Sequence, residues 1–195
     1  VDMPEPAIPK CDEWSVFQKL NFEKEVVGIY ISGHPMDDYN LELKYFCDIN
    51  MKQLSEHLND LPNKEFTCAG LIANVAHLES KQGNKYCKFE LHDKSGMREF
   101  AMFGENYLKQ SHKIVPGMFV HIKGLVKLKN KKFNPDGLQK DFDIQTFDFL
   151  KEVRSKLLRK IHIKLDARFI DEITISEFES IMDKYPGDKN VYFDI

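Results

Sequence analysis

The sequence has 195 residues, of which 42% are hydrophobic and 12% aromatic, and its formal net charge is −3 at pH 7. This composition can build packed cores and excludes an intrinsically disordered chain. No apolar run reaches the roughly eighteen residues of a membrane-spanning helix, so we expect no membrane partner. The length suits one large domain or two small ones.

The N-terminus and the cysteines predict a cytoplasmic chain. Residues 1–6 lack the basic region and the apolar core of a secretory signal. Because the sequence begins with Val1, we expect it to belong to a longer chain. The four cysteines are scattered, without a Cys-x-x-Cys pair, which fits neither a zinc knuckle nor a disulfide framework. We therefore expect a reduced protein without metal or other cofactor.

Charge is unevenly distributed along the chain. Residues 64–150 contain 14 Lys and Arg against 10 Asp and Glu, a balance of +4, whereas the remainder has a balance of −7. Such asymmetry favours different partners for different segments. When the charge difference between the segments is considered alone, ordinary surface variation explains it equally well.

The first elements in chain order are helical. A Pro-rich acidic stretch predicts a tail, and the periodicity of apolar residues then changes to that of helices. The predicted helices cover residues 15–20, Asn21 to the stop at 33–35, 37–46 and 51–58. Asn21 is the predicted N-cap of the second helix, with Glu23 and Glu25 in its first turn, where the helix dipole favours anions.

The middle of the chain alternates as strands do. The predicted strands cover residues 66–78, 86–91, 97–103, 118–129 and 141–150, with a short helix at 105–113. The first strand contains Gly70 among small residues, where a barrel strand bends. In the second, Cys87, Phe89 and Leu91 share one face. The turn that follows has Gly96 at a position where a positive φ costs little.

The predicted order is three strands, a helix and two strands, with a glycine in a long first strand. This is the order of the five-stranded Greek-key oligonucleotide-binding barrel, the OB-fold. A generic five-stranded meander is the alternative. The helix between the third and fourth strands favours the barrel. We therefore predict a mainly β fold with an α/β flank.

The last stretch has the pattern of a small βαβ-like unit. Ile161, Ile163 and Leu165 alternate, and Thr174 begins a capping-box spacing before a helical stripe. The stretch either packs on the barrel or belongs to a larger domain. The predicted segments are a tail at 1–13, a helical lead at 14–63, the OB barrel at 64–150 and the α/β unit at 151–195.

A basic edge of the predicted barrel is the candidate binding site. In this fold the loops after the first and fourth strands, with the face of the second and third, bind single strands. Lysines neutralise phosphates and aromatic rings stack on bases. A solvated surface is the alternative for the lysines, and core packing is the alternative for each aromatic. The candidate nucleic-acid-binding residues are Lys81, Lys85, Tyr86, Lys88, Phe100, Lys127, Lys129, Lys131, Lys132 and Phe133.

Nothing in the sequence predicts an active site. Asp141 and Asp143 share a strand face, as in two-metal sites, but no residue nearby completes such a site, so solvated surface is the better interpretation. His34 precedes a proline and is expected to cap or pack. Residues 18–22 have some likeness to the Gln-and-aromatic peptides that bind sliding clamps, although a helical segment explains them better. No hydrolase, metalloprotease or phosphate-loop motif is present.

Two passages carry a family resemblance. EVVGIYISGHPM at residues 25–36 has the pattern Glu-x-x-Gly-x-Tyr-x-Ser-x-His-Pro, and residues 83–103 contain the turn at 93–96 followed by Glu99 and Phe103. In this order and separation they resemble the alpha subunit of bacterial DNA polymerase III, a C-family replicative polymerase. The resemblance covers residues 14–150, and residues 160–195 resemble the family's small C-terminal domain in pattern only.

The resemblance implies a role for this segment. In the family, the polymerase active site lies in a palm domain far upstream, and the barrel is held near single-stranded template. The family's clamp-binding peptide would fall at or before residue 1, and its C-terminal domain contacts the clamp-loader tau subunit. His92 departs from the acidic residue that is more usual there, and the C-terminal unit is shorter than in many members.

The expected function is therefore a non-catalytic binding module of a DNA-directed DNA polymerase. Its expected partners are single-stranded DNA, the remainder of the polymerase alpha chain and the tau subunit. The alternative is a protein-interaction module that docks the clamp loader or the polymerase body through the acidic flanks. An enzymatic role for the segment itself ranks third.

Overall fold

The computed structural model describes residues 13–14, 16–28, 30–130 and 134–194. The helices are α1 (Val16–Val27), α2 (Asn40–Phe46), α3 (Met51–Glu56), α4 (Gly104–Gln110), α5 (Leu150–Leu157) and α6 (Glu172–Lys184). The strands are β1 (Glu65–Glu79), β2 (Lys85–His92), β3 (Met97–Phe103), β4 (Phe119–Leu128), β5 (Lys140–Phe149), β6 (Lys160–Lys164) and β7 (Asn190–Asp194). Short 3-10 helices cover Asp37–Tyr39, Ser111–Lys113 and Ala167–Phe169.

Among the described residues, no helix combines the length and apolarity needed to cross a bilayer. The predicted tail lies outside the described residues except for Glu13.

Five strands form one antiparallel sheet in the order β3-β2-β1-β4-β5. The helix α4 connects β3 to β4, so the predicted order of three strands, a helix and two strands is confirmed. β1 belongs to both halves of the sheet: its residues up to Leu71 pair with β4, and its residues from Leu71 onward pair with β2. This exchange of partners curls the sheet into a barrel.

The end of β2 approaches β1 closely at Gly70. A Cβ atom there would lie 3.0 Å from the backbone oxygen of His92 and 3.2 Å from Cβ of Leu91. A side chain would require these neighbours to shift, so glycine favours the close approach. The pairing of β1 with β2 is irregular between Ile72 and Val75, and the bend expected at Gly70 itself stays a prediction.

Alternating side chains of the five strands fill the barrel. Cys87, Phe89 and Leu91 are buried, as their shared parity predicts. The core also takes in Met51 and Leu54 of α3, which closes one end of the barrel. The lead segment and the barrel thus share one hydrophobic core.

The barrel is open between β3 and β5, because no backbone ladder joins these strands in the part of the chain that the structure describes. Two side-chain contacts span the opening. The Asn106 side-chain amide donates a hydrogen bond to the Ile144 carbonyl at 3.0 Å, and Phe100 meets Phe142 edge to face with 6.0 Å between ring centroids. An open side of this kind leaves β3 at the edge of the sheet.

The N-terminal helix differs from the prediction. α1 runs without a break through Asn21, so Asn21 is not an N-cap. The helix ends at Gly28, whose φ of +86° reverses the chain, five residues before the predicted stop. Glu23 lies in mid-helix, where its carboxylate accepts hydrogen bonds from Ser32 Oγ at 2.6 Å and from the N–H groups of Ile31 and Ser32. These bonds hold the pKa of Glu23 below its usual range.

The turn between β2 and β3 is held by the side chain of Asp93 and not by a glycine with a positive φ. Gly96 does not adopt a positive φ, although the predicted turn is present. Asp93 Oδ1 accepts hydrogen bonds from the N–H groups of Ser95 at 2.7 Å and Gly96 at 3.0 Å. Its other oxygen accepts the Met51 N–H at 2.8 Å, at the start of α3. Asp93 therefore fixes both the turn and the position of α3.

A second, smaller core lies outside the barrel. The helix α5, which the sequence analysis did not predict, packs Leu150 and Val153 with Met36 and Ala69. Beside them Glu42, 3% exposed, accepts hydrogen bonds from Arg154 Nε at 2.9 Å and Nη2 at 2.8 Å. This ion pair joins α2 to α5.

The predicted C-terminal βαβ-like unit is confirmed. β6 and β7 pair in parallel, and α6 connects them. The N-cap of α6 is Asp171, not Thr174, because the Asp171 carboxylate accepts hydrogen bonds from the Thr174 N–H at 2.7 Å and hydroxyl at 2.6 Å. The boundaries of the four segments proposed from the sequence remain predictions.

Gly124→Ala is expected to destabilise the barrel, because a Cβ at Gly124 would overlap the ring of Phe142. Overpacking of this kind lowers the free energy of unfolding by about 1–3 kcal/mol. Gly96→Ala is the control, since a Cβ there meets no atom within 4 Å, and its effect should stay within about 0.5 kcal/mol. Urea denaturation measures both. Equal effects of the two substitutions would contradict the packing.

Arg154→Gln is expected to lower the free energy of unfolding by about 1–3 kcal/mol, because it leaves the buried Glu42 carboxylate without its charged donors. The matched control is Lys109→Gln. That substitution removes an exposed ion pair to Glu105 within α4 and should cost about 0.5 kcal/mol or less. An unchanged urea midpoint for Arg154→Gln would show that the ion pair does not hold α2 against α5.

Candidate nucleic-acid interface

The register between β2 and β3 separates four aromatic side chains into two pairs. Phe89 lies opposite Phe100, and Tyr86 lies opposite Phe103. Residues opposite each other in an antiparallel pair point to the same side of the sheet. Phe89 and Phe100 are 1% and 4% exposed, so this pair lies in the core. Tyr86 and Phe103 therefore lie on the outer face.

The outer pair forms a stacked platform. The ring centroids of Tyr86 and Phe103 are 5.1 Å apart and the rings are inclined by 18°. Phe103 is 62% exposed, although a phenyl ring gains most by burial. An exposed ring face beside a second ring offers a stacking surface that any base can use.

The platform borders a wide groove at the end of β3 that meets α4. The groove has a volume of about 1060 Å³, and Lys85, Lys88, Gly104 and Leu108 are among its lining residues. Lys81 lies in the adjoining loop between β1 and β2 and is exposed. Aromatic rings and lysines thus meet on one surface, which suits bases and phosphates together.

Two further grooves continue along β3. One of about 160 Å³ follows the opening between β3 and β5 and shares Phe103 with the first groove. The next, of about 270 Å³, shares Arg98 and is lined by Lys129 and Lys140. We call these three grooves together the β3 track. β3 has seven residues, so the track is about 20 Å long at about 3.3 Å per residue.

Charges along the β3 track are paired in its middle and unpaired near its ends. In the middle, Lys88 bonds to Glu99 at 3.1 Å and Lys127 bonds to Asp143 at 2.5 Å. Lys81, Lys85 and Lys129 make no ion pair with any residue that the structure describes. The paired lysines mainly neutralise nearby carboxylates, so the unpaired lysines carry most of the attraction for phosphate.

The loop between β4 and β5 is anchored at one end by Asn134, which is 2% exposed. Its carboxamide accepts the N–H groups of Leu138 and Gln139 at 3.2 Å and donates to the Gln139 carbonyl at 3.0 Å. Gly137, with a φ of +68°, turns the chain back towards β5. The candidate residues Lys131, Lys132 and Phe133 lie outside the described residues.

Phe100 does not belong to the surface, and its predicted role in base stacking was wrong. The prediction assigned it to the side opposite Phe89, whereas the register places the two rings together, stacked with 5.7 Å between centroids. Its burial leaves no room for a base. The alternative interpretation, core packing, is the correct one for this residue.

The sequence analysis missed Phe103. Within β3, Phe100 and Met102 share one parity, and Ala101 and Phe103 share the other. This alternation shows that Phe103 lies on the opposite face of the strand from Phe100. The pattern of β3 alone, however, leaves open which of the two parities faces the core.

The described residues contain neither a cluster of metal ligands nor a cysteine of lowered pKa. No group of three or more His, Cys, Asp or Glu side chains gathers as a metal site among the described residues. Burial raises the pKa of Cys47 to about 12 and that of Cys87 to about 11. Both therefore remain protonated near neutral pH and are poor nucleophiles.

The fold is an OB-fold barrel, in which the predicted connectivity of strands and helix is realised. A family model described as an OB-fold nucleic acid binding domain matches residues 66–145. This match covers β1, β2, β3, α4, β4 and most of β5. The match therefore lies within the barrel and agrees with the fold that the structure shows.

The resemblance to the alpha subunit of bacterial DNA polymerase III is confirmed. The subunit from Thermus aquaticus is 27% identical over 192 residues, which are 98% of this chain and 15% of the relative. The subunit from Xylella fastidiosa (strain 9a5c) is 26% identical over 202 residues, covering 96% of this chain and 16% of the relative. This chain thus spans about one sixth of the length of these curated relatives.

Among solved structures, the mitochondrial single-stranded DNA binding protein Rim1 from S. cerevisiae matches with a TM-score of 0.32 and 13% sequence identity. The alignment covers 46% of this chain and 96% of that chain.

Phe100→Ala and Phe103→Ala are expected to differ sharply in their effect on stability. Truncating the buried Phe100 should lower the free energy of unfolding by about 3–5 kcal/mol. Truncating the exposed Phe103 should cost about 1 kcal/mol or less, because only its contact with Tyr86 is lost. Urea denaturation of the two variants compares them directly. A larger loss from Phe103→Ala would contradict the register between β2 and β3.

Proposed function

We propose that this chain binds single-stranded DNA along the β3 track, as a non-catalytic part of a replicative DNA polymerase alpha subunit. The observation that carries the proposal is the stacked pair of Tyr86 and the exposed Phe103, next to the unpaired Lys85. Bases stack on the rings, while Lys81 and Lys85 at one end and Lys129 at the other neutralise phosphates. Lys131, Lys132 and Phe133, which lie outside the described residues, stay candidate contacts that rest on the sequence alone.

The balance of charge limits how tightly the isolated chain binds. Residues 64–150 have a balance of only +4, and Glu99, Asp141 and Asp143 line the middle of the β3 track. Phosphates passing these carboxylates are repelled, so the lysines at the ends provide the electrostatic attraction. Binding is therefore weak and falls steeply as salt is added.

The relatives support a place for this chain in DNA replication. They are named as DNA polymerase III alpha subunits, and this chain covers about 15% of the Thermus aquaticus relative. We assign nucleotide transfer to the remainder of the parent chain, in the cytoplasm, with this barrel guiding the template strand towards it. The isolated chain should show no nucleotide incorporation on a primed template, and incorporation would place an active site within it.

Fluorescence anisotropy of a labelled thymidine oligonucleotide tests the binding proposal. Phe103→Ala removes one stacking ring and should weaken binding by about 5–150-fold, which corresponds to about 1–3 kcal/mol per stacked base. Lys85→Gln removes one phosphate contact and should reduce the slope of log affinity against log salt by about 0.7. The stacking variant should leave that slope unchanged.

The controls are chosen to match in residue type and exposure. Tyr45→Ala removes an aromatic side chain that is 66% exposed on α2, and Lys109→Gln removes an exposed lysine on α4. Neither residue lines the β3 track, so both variants should bind as the unmodified chain does. Equal losses from the controls and the track variants would contradict the proposal.

A second candidate function is protein docking by the flanks. It is favoured by the end of α1, where Val26 is 84% exposed and Val27 and Ile31 are 53% and 62% exposed. The proposed partners are the remainder of the alpha chain and the clamp-loader tau subunit. Val26→Asp should weaken co-purification with either partner and leave DNA binding intact. Lys85→Glu should weaken DNA binding and leave co-purification intact.

A further inference from the structure

The C-terminal unit has one covered sheet face and one open sheet face. In the parallel pair of β6 and β7, Ile161, Ile163, Val191 and Phe193 share a face by the alternation of strand side chains. Phe193 contacts Phe178 of α6 edge to face, with 5.3 Å between centroids. The helix therefore covers this apolar face and leaves the opposite face to solvent.

The opposite face is polar, basic and aromatic, and we call it the β6–β7 face. Its members are all exposed: Lys160, His162, Lys164, Asn190, Tyr192 and Asp194. The face carries no aliphatic side chain. Interfaces between proteins usually have an apolar centre, so this composition does not suit a protein partner.

At the centre of the β6–β7 face two rings are stacked. His162 and Tyr192 are register partners, with 5.0 Å between ring centroids and an angle of 18°. This geometry matches that of Tyr86 and Phe103 on the barrel, at 5.1 Å and 18°. Tyr192 is 45% exposed, so one face of the stack remains accessible.

Charged groups frame the two rings. The Lys160 ammonium lies 6.0 Å from the centroid of Tyr192, and Lys164 makes no ion pair with any described residue. The one carboxylate on the face, Asp194, lies 3.2 Å from Nδ1 of His162 and so fixes the imidazole beside Tyr192. Rings that stack on bases between cations that attract phosphates are the chemistry of single-strand binding.

We propose that the β6–β7 face is a second binding site for single-stranded nucleic acid, separate from the β3 track. A base stacks on Tyr192 and His162, and Lys160 and Lys164 contact the flanking phosphates. The site does not require the barrel to bind DNA. It extends the proposed function because it gives the chain two stacking platforms on two different sheets.

Photo-cross-linking separates the two sites. A single-stranded DNA carrying 5-iodouracil is irradiated with the full chain at low salt, and the cross-linked peptides are identified by mass spectrometry. Cross-links at Tyr192 or His162 are expected in addition to those at Tyr86 or Phe103. Cross-links confined to the barrel would overturn the second site, and cross-links confined to β6 and β7 would overturn the barrel site instead. An absence of cross-links from both would overturn both.

Variants complete the test by anisotropy in the Phe103→Ala, Lys85→Glu background, where the β3 track is impaired. Adding Tyr192→Ala should lower the residual affinity by at least about fivefold. Adding Lys164→Gln, which removes no hydrogen bond or ion pair among the described residues and places no second carboxylate opposite Asp194, should weaken binding as well. Tyr185→Ala is the matched control, because this tyrosine is 67% exposed in the same unit but lies outside the β6–β7 face. Equal affinities for Tyr192→Ala, Lys164→Gln and Tyr185→Ala would overturn the proposal.

Discussion

The pairing register of β2 and β3 determines which aromatic side chains enter the core and which remain on the surface. Because Phe89 lies opposite Phe100, Tyr86, three residues earlier in β2, lies opposite Phe103, three residues later in β3. A slip of one residue would reverse every side chain of β3. It would bring Phe103 inside and Phe100 out. The register is fixed at the turn by Asp93, whose carboxylate also anchors α3 over the end of the barrel.

The open side of the barrel makes the outer surface of β3 usable. β1 uses both of its edges, since it pairs with β4 and then with β2, and this leaves β3 and β5 as the outer strands of the sheet. Asn106 and the ring of Phe142 span the gap without closing it. The edge of β3 therefore borders grooves along its whole length, and the lysines gather near the ends of that line. The open edge of the sheet and the exposed lysines therefore lie on the same surface, the β3 track.

The sequence predicted the elements of the barrel well, because alternation within a strand is a local property. The bounds of β3 and the inward parity of Cys87, Phe89 and Leu91 followed from alternation alone. The orientation of β3 did not, since parity within one strand says nothing about its register against a neighbour. Phe100 was therefore placed outside and Phe103 was overlooked.

Two helices also differed from the prediction. The α1 helix was divided at Asn21, although asparagine inside a helix costs only about 0.7 kcal/mol and tertiary contacts override it. α5 was missed because its sequence, LKEVRSKL, has only a narrow apolar stripe, and its burial depends on contacts with α2.

An NMR titration of the aromatic ring protons with a thymidine oligonucleotide distinguishes the outer ring pair from the inner one. Stacked bases shift the signals of the rings that they cover. We expect the ring signals of Tyr86 and Phe103 to move on addition of single-stranded DNA, while those of Phe89 and Phe100 stay in place. Unmoved signals of Tyr86 and Phe103, under conditions in which the oligonucleotide binds, would contradict the assignment of the β3 track as the DNA-binding surface.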